Sequence, residues 1–467
     1  MTAMRGYSES LLSRLITPDI EKMLAEKNFK DLREALIELD PVDIAESINV
    51  LTPEERTVVF RILPRSISAD VFEQLPFTEQ EEILVAMGQE QVAVILNEMD
   101  PDDRTQFLEE LPGKVTRRLL ELLTPEERSV AVNLLGYPEE SIGRMMTPEY
   151  LAINQDWTVK ETLAFIRKSG RDKETINILY VLDDQDELIA YLKIRALIFE
   201  NPKDPIRDIM NTQVIVLNAF DDQETASEAM MRYDLPVLPV VDSDGTLVGI
   251  VTSDDVLDVI VEETTEDIHK MGGMAALEEP YFHASFLTLI QKRAGWLFIL
   301  FIGAMLIVTV MEQFDDIIHK FMILTFFLPL VISSGGNSGT QAATLVIRAL
   351  AVQDITLGDW FRVFLRELLS GLILGALLGG TILLRVWLWP PETGSSIDFY
   401  KLAQIVTISV AAVVVCGTLI GSMLPFLLQA LRFDPALSST PLVTTLCDSI
   451  GIVIYYTLAM IILSGVT

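Results

Sequence analysis

The stretch PLVTTLCDSIGIVIYY, residues 441–456, is apolar almost throughout and yet carries a carboxylate at Asp448. Asp448 lies ten residues after Ser438, so roughly 15 Å along a helix at ~1.5 Å per residue, near mid-bilayer if the segment spans a membrane. An unpaired carboxylate there costs at least ~2.5 kcal/mol. No base lies in the apolar interior of a comparable segment to neutralise it. A protonated acid hydrogen-bonded between helices is one solution; a cation site fits better. A second unusual stretch, PLVISSGGNSGTQAATLVIRAL at 329–350, combines Pro329, Gly335, Gly336 and Gly339 with the amides of Asn337 and Gln341. Small residues allow close helix packing. They also let backbone carbonyls face a pore, since irregular backbone at that depth is tolerated only inside protein or beside water. Gly336 and Asn337 therefore join Asp448 as candidate pore-lining residues. A third cluster, Glu262, Glu263, Glu266 and Asp267, stacks carboxylates within two turns, where each i,i+3 or i,i+4 pair repels by a few tenths of a kcal/mol. It reads either as a solvated linker or as a helix end awaiting a counter-charge. The chain has only three histidines, no Ser/His/Asp or Cys/His constellation, and no G-x-x-x-x-G-K-[ST] loop. The expectation is a protein that is not an enzyme.

The elements that carry these residues follow from composition. The 467 residues hold a formal charge of −32, enough chain for about three domains. Residues 291–467 contain ten acids and nine bases, so residues 1–290 carry −31. Such a surface repels nucleic acid and attracts cations. Cys416 and Cys447 both sit in apolar segments, suggesting neither a disulfide framework nor a zinc site, and the polar start MTAMRGYSES does not read as a secretory signal. Five spans are expected, over 295–312, 321–347, 369–389, 403–430 and 438–465, each long enough for a bilayer core of ~30 Å. Lys292, Arg293, Arg348, Arg362, Arg366 and Arg432 flank one side and Lys320, Arg385 and Lys401 the other. The positive-inside rule then puts residues 1–290 in the cytoplasm and the C-terminus outside, with the tryptophans of VWLWPP, 386–391, at the outer interface.

Before the membrane segments, Leu39, Leu51, Leu63, Leu75, Met87, Met99, Leu111, Leu123 and Leu135 mark a strict period of twelve, right for one short helix and a turn per repeat, stacked into a superhelix. Thr52 and Thr124 are expected N-caps followed by Pro53 and Pro125, with Glu55 and Glu127 completing capping boxes; Asp40 and Asp100 repeat the device. Most of the acid here reads as capping chemistry. After MMTPEY at 145–150 the pattern alternates strand and helix, and does so twice: LYVLDDQDELIAYLKIRALI at 179–198 matches LPVVDSDGTLVGIVTSDDVL at 238–257. The pair resembles tandem cystathionine-β-synthase (CBS) domains, with GIVTSDD at 249–255 as the strand-to-helix signature. In that family Thr252 and Asp255 would hold a ribose. The first copy has Lys193 and Ala196 instead, so ATP is a weakly supported ligand.

The order of acidic helical repeats, CBS pair, charged helix and five spans, with SGGNSGTQAATLVIRALA at 334–351, DPALSSTPLVTTLCDSIG at 434–451 and TTEDIHKMGG at 264–273, resembles the MgtE family of magnesium channels over essentially the whole chain. The resemblance implies an α-helical N domain at 1–136, α/β CBS domains at 137–209 and 210–261, a connecting plug helix at 262–284, and an all-α membrane domain at 285–467. It implies a homodimer in the cell membrane, with Mg²⁺ both transported and regulatory. Asp448 would bind Mg²⁺ in the pore beside the Thr444 carbonyl. Closing Mg²⁺ ions would bridge Asp70 and Asp102, Glu224, Asp234, Asp255 and Asp258, Glu263, Glu266 and Asp267, and Asp434. Ile178, Leu235 and Ala196 stand where ATP-binding members have two aromatics and an acid. Two alternatives stay open: a membrane-anchored CBS sensor that conducts nothing, and a less selective transporter of Co²⁺ or Mn²⁺, whose ligand preferences overlap those of Mg²⁺.

Overall fold

A computed structural model describes residues 11–171, 173–183, 185–277, 281, 284–388 and 399–463. It divides into two compact units, Met1–Glu263 and Thr264–Thr467.

The first unit opens with ten helices, α1 to α10: Leu11–Ala25, Phe29–Ile37, Pro41–Asn49, Pro53–Ile62, Arg65–Glu73, Phe77–Ala86, Gln89–Glu98, Pro101–Glu109, Gly113–Leu120 and Pro125–Leu134. From α3 onward each period of twelve is one helix, with the repeat Leu or Met in the turn that follows. Proline occupies the first turn of α3, α4, α8 and α10, where its missing N–H would be unpaired anyway. One continuous core, from Ile20 through Phe60, Phe72 and Phe107 to Ala131, runs along the stack. Buried Arg56 and Arg104, each five residues after a repeat Leu or Met, tie turns together from inside. Arg56 donates to the Ile48, Asn49 and Leu51 carbonyls, and Arg104 to those of Leu96 and Met99. The expected caps hold only in part. Thr52 and Glu55 form a full capping box and Asp40 accepts from the Val42 amide. Thr124 caps α10, but Glu127 reaches back to the Arg104 guanidinium rather than closing its box. Asp100 makes no cap bond at all.

Two small sheets follow. α11 (Ile142–Met145), β1 (Ala152–Asn154), α12 (Val159–Ser169), β2 (Ile178–Leu182), β3 (Leu188–Lys193) and α13 (Ile194–Phe199) precede β4 (Leu217–Asn218), α14 (Glu224–Tyr233), β5 (Val237–Val241), β6 (Leu247–Thr252) and α15 (Ser253–Met271). Both sheets pair parallel then antiparallel, with Ala152 opposite Tyr180 and Tyr180 opposite Tyr191 in one, and Leu217 opposite Val240 and Pro239 opposite Ile250 in the other. The acidic turns match too. Asp183 Oδ1 accepts from the Gln185 and Glu187 amides, Asp242 Oδ1 from those of Asp244 and Thr246. Ile178 and Tyr180 pack on Val237, Leu247 and Ile250, joining the sheets.

The long acidic helix begins earlier than expected and ends sooner. α15 starts at Ser253 and stops at Met271, because Gly273 turns into the left-handed region at φ 73° and the Met274 amide closes the end on the His269 carbonyl, a glycine-type helix stop. It is therefore not continuous with the first apolar helix: of the helix expected over 262–284, residues 272–277 are not helical, and residues 278–280 and 282–283 lie outside those described.

The second unit contains α16 (Phe286–Glu312), α17 (Asp315–Lys320), α18 (Ile323–Ala351), α19 (Trp360–Leu388), α20 (Phe399–Ala430) and α21 (Thr440–Leu463). Among the described residues four helices are long and apolar enough to cross a membrane: Phe286–Glu312, Leu357–Arg385, Phe399–Ala430 and Thr440–Leu463. The expected count of five is not reached, because in α18 the run SSGGNSGTQ dilutes the apolar content. Nor is α18 irregular at its glycines. It is one helix of 29 residues, and the glycines serve contact instead: a Cβ on Gly417 or Gly421 of α20 would overlap the Gly335 or Gly339 carbonyl of α18. Trp389 of the expected aromatic belt lies outside the described residues.

Candidate functional site: a carboxylate junction, an acidic helix end and a lone aspartate

In the first unit, the start of α8 faces the start of α15. Carboxylate oxygens of Glu73, Asp100 and Asp103 lie within 4.8 Å of one another, and Glu73 accepts the Asp100 amide at 3.0 Å. Burial and the adjacent Asp103, Asp100 and Asp70 push Glu73 up to about 8, although the Asp100 amide works the other way. Burial and Asp255 push Asp103 up to about 7. Asp102 is raised well above the ordinary range by burial, Asp255, Asp103 and Glu174, and its Oδ1 is sealed from solvent without a hydrogen-bond partner. Asp255, also at about 7 through burial, accepts from the Thr252 hydroxyl at 2.7 Å. Glu174, at about 7, is raised by burial, Asp100 and Asp254. Among the described residues no Lys or Arg forms an ion pair with any of these six. A concentration of hard oxygen donors lacking a fixed cation is what a divalent ion of the Mg²⁺ type accepts.

The structure thus brings together the expected Asp102 and Asp255, with Asp258 close enough to raise Asp103 and Asp70 exposed at the margin. Glu224 and Asp234 stand apart, exposed at the two ends of α14, with Asp234 in the left-handed region at φ 53°. Glu263 accepts from the side-chain amide of Gln223 at 3.1 Å. Sequence reasoning does not reach Glu73, Asp100, Asp103 or Glu174. Asp100 and Asp103 flank Asp102 in MDPDDR, but their capping position there hides them. Thr252 donates its hydroxyl to Asp255 at the place where the CBS resemblance would put a ribose.

In the second unit the end of α15 carries Glu266, Asp267 and Lys270. The Lys270 ammonium donates to Glu266 at 2.8 Å and to Asp434 at 2.7 Å. Burial disfavours that charge, but the bonds to Asp434 and Glu266 outweigh it, and the pKa of Lys270 is raised. Burial and the neighbouring Asp434 raise Asp267. The helix end expected to lack a counter-charge therefore has one of its own.

Farther along the same unit, α21 presents Asp448 one turn after Thr444, facing α18. A Cβ on Gly336 would lie 3.2 Å from the Thr444 methyl and 3.7 Å from Asp448 Oδ1. Thr444 donates its hydroxyl to the Thr440 carbonyl at 2.9 Å. Half-buried Asp448 has no ion-pair partner among the described residues. Gly336, Thr444 and Asp448 converge; Asn337 points to an exposed face, where it reaches Ser333 at 3.4 Å.

Comparison with known proteins bears on all three places. A family model described as a divalent cation transporter matches residues 328–458, one described as the MgtE intracellular N domain matches 39–140, and a CBS domain matches 206–262. The magnesium transporter MgtE of Thermus thermophilus is 40% identical over 450 residues, covering 96% of this chain and 98% of that protein. That of Bacillus subtilis is 31% identical over 453 residues, 97% of each. A solved structure of the cytosolic domain of the Mg²⁺ channel MgtE in complex with ATP superposes with a TM-score of 0.51 at 38% identity, covering 52% of this chain and 99% of that one. The soluble part of a magnesium transporter also gives 0.51, at 28% identity, covering 54% and 99%. The similarity runs along nearly the full length of the chain, and the chain belongs to the MgtE family.

Proposed function

We propose that this chain is a homodimeric Mg²⁺ channel of the cell membrane, passing Mg²⁺ inward down its electrochemical gradient and closed by Mg²⁺ bound to its cytosolic carboxylates. The observation that carries the reading is Asp448: a carboxylate with no ion-pair partner among the described residues, on an apolar helix, against the Gly336 face of α18. Mg²⁺ takes octahedral oxygen ligands and sheds water reluctantly. Two copies of Asp448 meeting on a two-fold axis would match the charge of one largely hydrated ion, with the Thr444 carbonyl and Asn337 amide beside its water shell. The membrane potential favours entry of a dication.

In this reading α18 is a fifth span, its small polar face turned to the pore and therefore not to lipid. The domains are the N domain at 1–136, CBS domains at 137–209 and 210–261, the connecting segment at 262–284 and the membrane domain at 285–467, with the N-terminus cytoplasmic and the C-terminus outside. Mg²⁺ would be held at the junction by Asp102, Asp255 and Asp258, supported by Glu73, Asp100 and Asp103. Asp70, Glu224, Asp234 and Glu263 would lie on its approaches. At the α15 end Glu266, Asp267 and Asp434 would take Mg²⁺ only in addition to Lys270, which already bonds to Glu266 and Asp434. A similar cytosolic domain has been solved in complex with ATP. Here Ile178 is buried between the sheets, and Lys193 and Ala196 stand in the first copy at the positions of Thr252 and Asp255, so ATP is expected to bind no more tightly than millimolar by calorimetry.

Purified protein in liposomes tests the pore. Asp448→Ala abolishes Mg²⁺ flux in this reading while leaving the oligomer intact; flux equal to the parent's removes the assignment. Any flux by the parent excludes the anchored sensor, and competition by Co²⁺ or Mn²⁺ measures selectivity.

A further inference from the structure

The end of α15 is docked within the second unit by groups far apart in sequence. Met271 packs against Ala343, Ile347, Val443 and Cys447. Gly273 is buried, and a Cβ there would overlap the Trp296 ring at 2.7 Å and approach Pro441 at 3.1 Å. The Trp296 indole donates to the Ser439 hydroxyl at 3.1 Å, and the Ala275 amide bonds to the Lys292 carbonyl. At the centre Lys270 joins Glu266 of its own helix to Asp434, 164 residues away. Asp434 uses its other oxygen, Oδ1, to accept the Ala436 amide at 2.7 Å, shaping the turn that leads into α21, the helix of Thr444 and Asp448.

We propose that Lys270 is a tethered counter-ion that holds the end of α15 on the turn before α21 without any bound metal, so that this contact survives removal of divalent cations. Its ammonium already sits between two carboxylates that a bridging cation would otherwise have to neutralise. Charge-assisted bonds of 2.7–2.8 Å at a half-buried site are stronger than exposed ion pairs. The Met271 and Gly273 contacts exclude water around them. Lys270 thereby positions Asp434, and through it the start of α21.

Hydrogen exchange on the full chain in lipid nanodiscs, read over residues 264–277, tests this directly. In chelator the parent is expected to show the same protection as at 10 mM Mg²⁺. Lys270→Gln should exchange at least tenfold faster in chelator, regain protection when Mg²⁺ supplies the missing charge, and leave peptides from α2 to α6 unchanged. Lys270→Arg should keep the parent's protection. Asp434→Asn removes the bond from the other side and should resemble Lys270→Gln, which keeps the test open if one variant does not fold. Protection lost by the parent in chelator, or retained by both variants, overturns the proposal. Because exchange is read and not flux, this outcome is separate from that of the Asp448 experiment.

Discussion

At the start of α15, six carboxylates from α5, α8, the 170s loop and α15 itself are gathered with no base paired to any of them among the described residues. At the other end of the same helix, three carboxylates surround one lysine. In the first place burial and mutual repulsion drive several of the acids up to about 7 or 8; in the second, Lys270 bonds to two of the three. A facing pair of charges costs ~4 kcal/mol at 4 Å and an effective dielectric of 20. The junction can relieve that cost by taking protons, by taking cations or by separating. The α15 end has been relieved in advance. In the reading proposed above, the first region responds to cations and the second persists without them.

Limited proteolysis should separate the two regions most strongly. In chelator, cleavage between residues 136 and 148 should accelerate at least tenfold relative to millimolar Mg²⁺ at equal ionic strength, while cleavage at 264–277 hardly changes. Equal acceleration at both places would mean that Lys270 does not protect its end.

Neutralising the junction sharpens the contrast. Asp102→Asn combined with Asp103→Asn and Asp255→Asn should stabilise the chelated protein at pH 8 by on the order of 1–3 kcal/mol, since it removes charges whose burial is unfavourable. It should also abolish the Mg²⁺-dependent rise in melting temperature. A triple variant that melts lower than the parent in chelator would show that these groups are paired in a way the geometry does not contain.

Acidity offers a milder probe. The folded junction binds protons that the unfolded chain releases, because Asp103 and Asp255 titrate at about 7 and Glu73 at about 8. Stability from this source is present below the unfolded carboxylate range and is lost as pH rises through those values. In chelator, cleavage at 136–148 should therefore increase from pH 5 to pH 8. A flat profile there would remove the buried-acid account.

The smallest effect comes from acids that belong to neither region. Thr52→Ala opens a complete capping box and should cost ~1 kcal/mol without altering the response to Mg²⁺. Thr124→Ala should cost less, because Glu127 is already turned to Arg104.

Much of the architecture was legible because it rests on local periodicity. A Leu or Met every twelfth residue with proline two positions later gives one helix per period, and the doubled strand–turn–strand pattern gives two matching sheets with the same pairing. Asp448 could be singled out from residue type and place, whereas Asp102 and Asp255 entered as metal ligands only through the resemblance to a known family. Asp100 could not be told from Asp40, since both precede a proline in the same repeat position. Only the neighbour across space, Glu73 for Asp100, makes one a cluster member and leaves the other a cap. Lys270 had a local signal, standing four residues after Glu266, but its second partner had none.

Sequence alone determined the helical repeat, the tandem sheets, the apolar helices, the lopsided charge and the carboxylate inside α21, since each depends on residues within a turn or two of one another. Tertiary structure decided which charges meet. Glu73 finds Asp100 and Asp103 only because successive repeats stack. Asp102 faces Asp255 only because the superhelix and the second sheet share one unit. Lys270 reaches Asp434 only because the chain returns through four long helices to the same place. Electrostatic energy depends on distance through space and on burial, and neither quantity is a function of position along the chain.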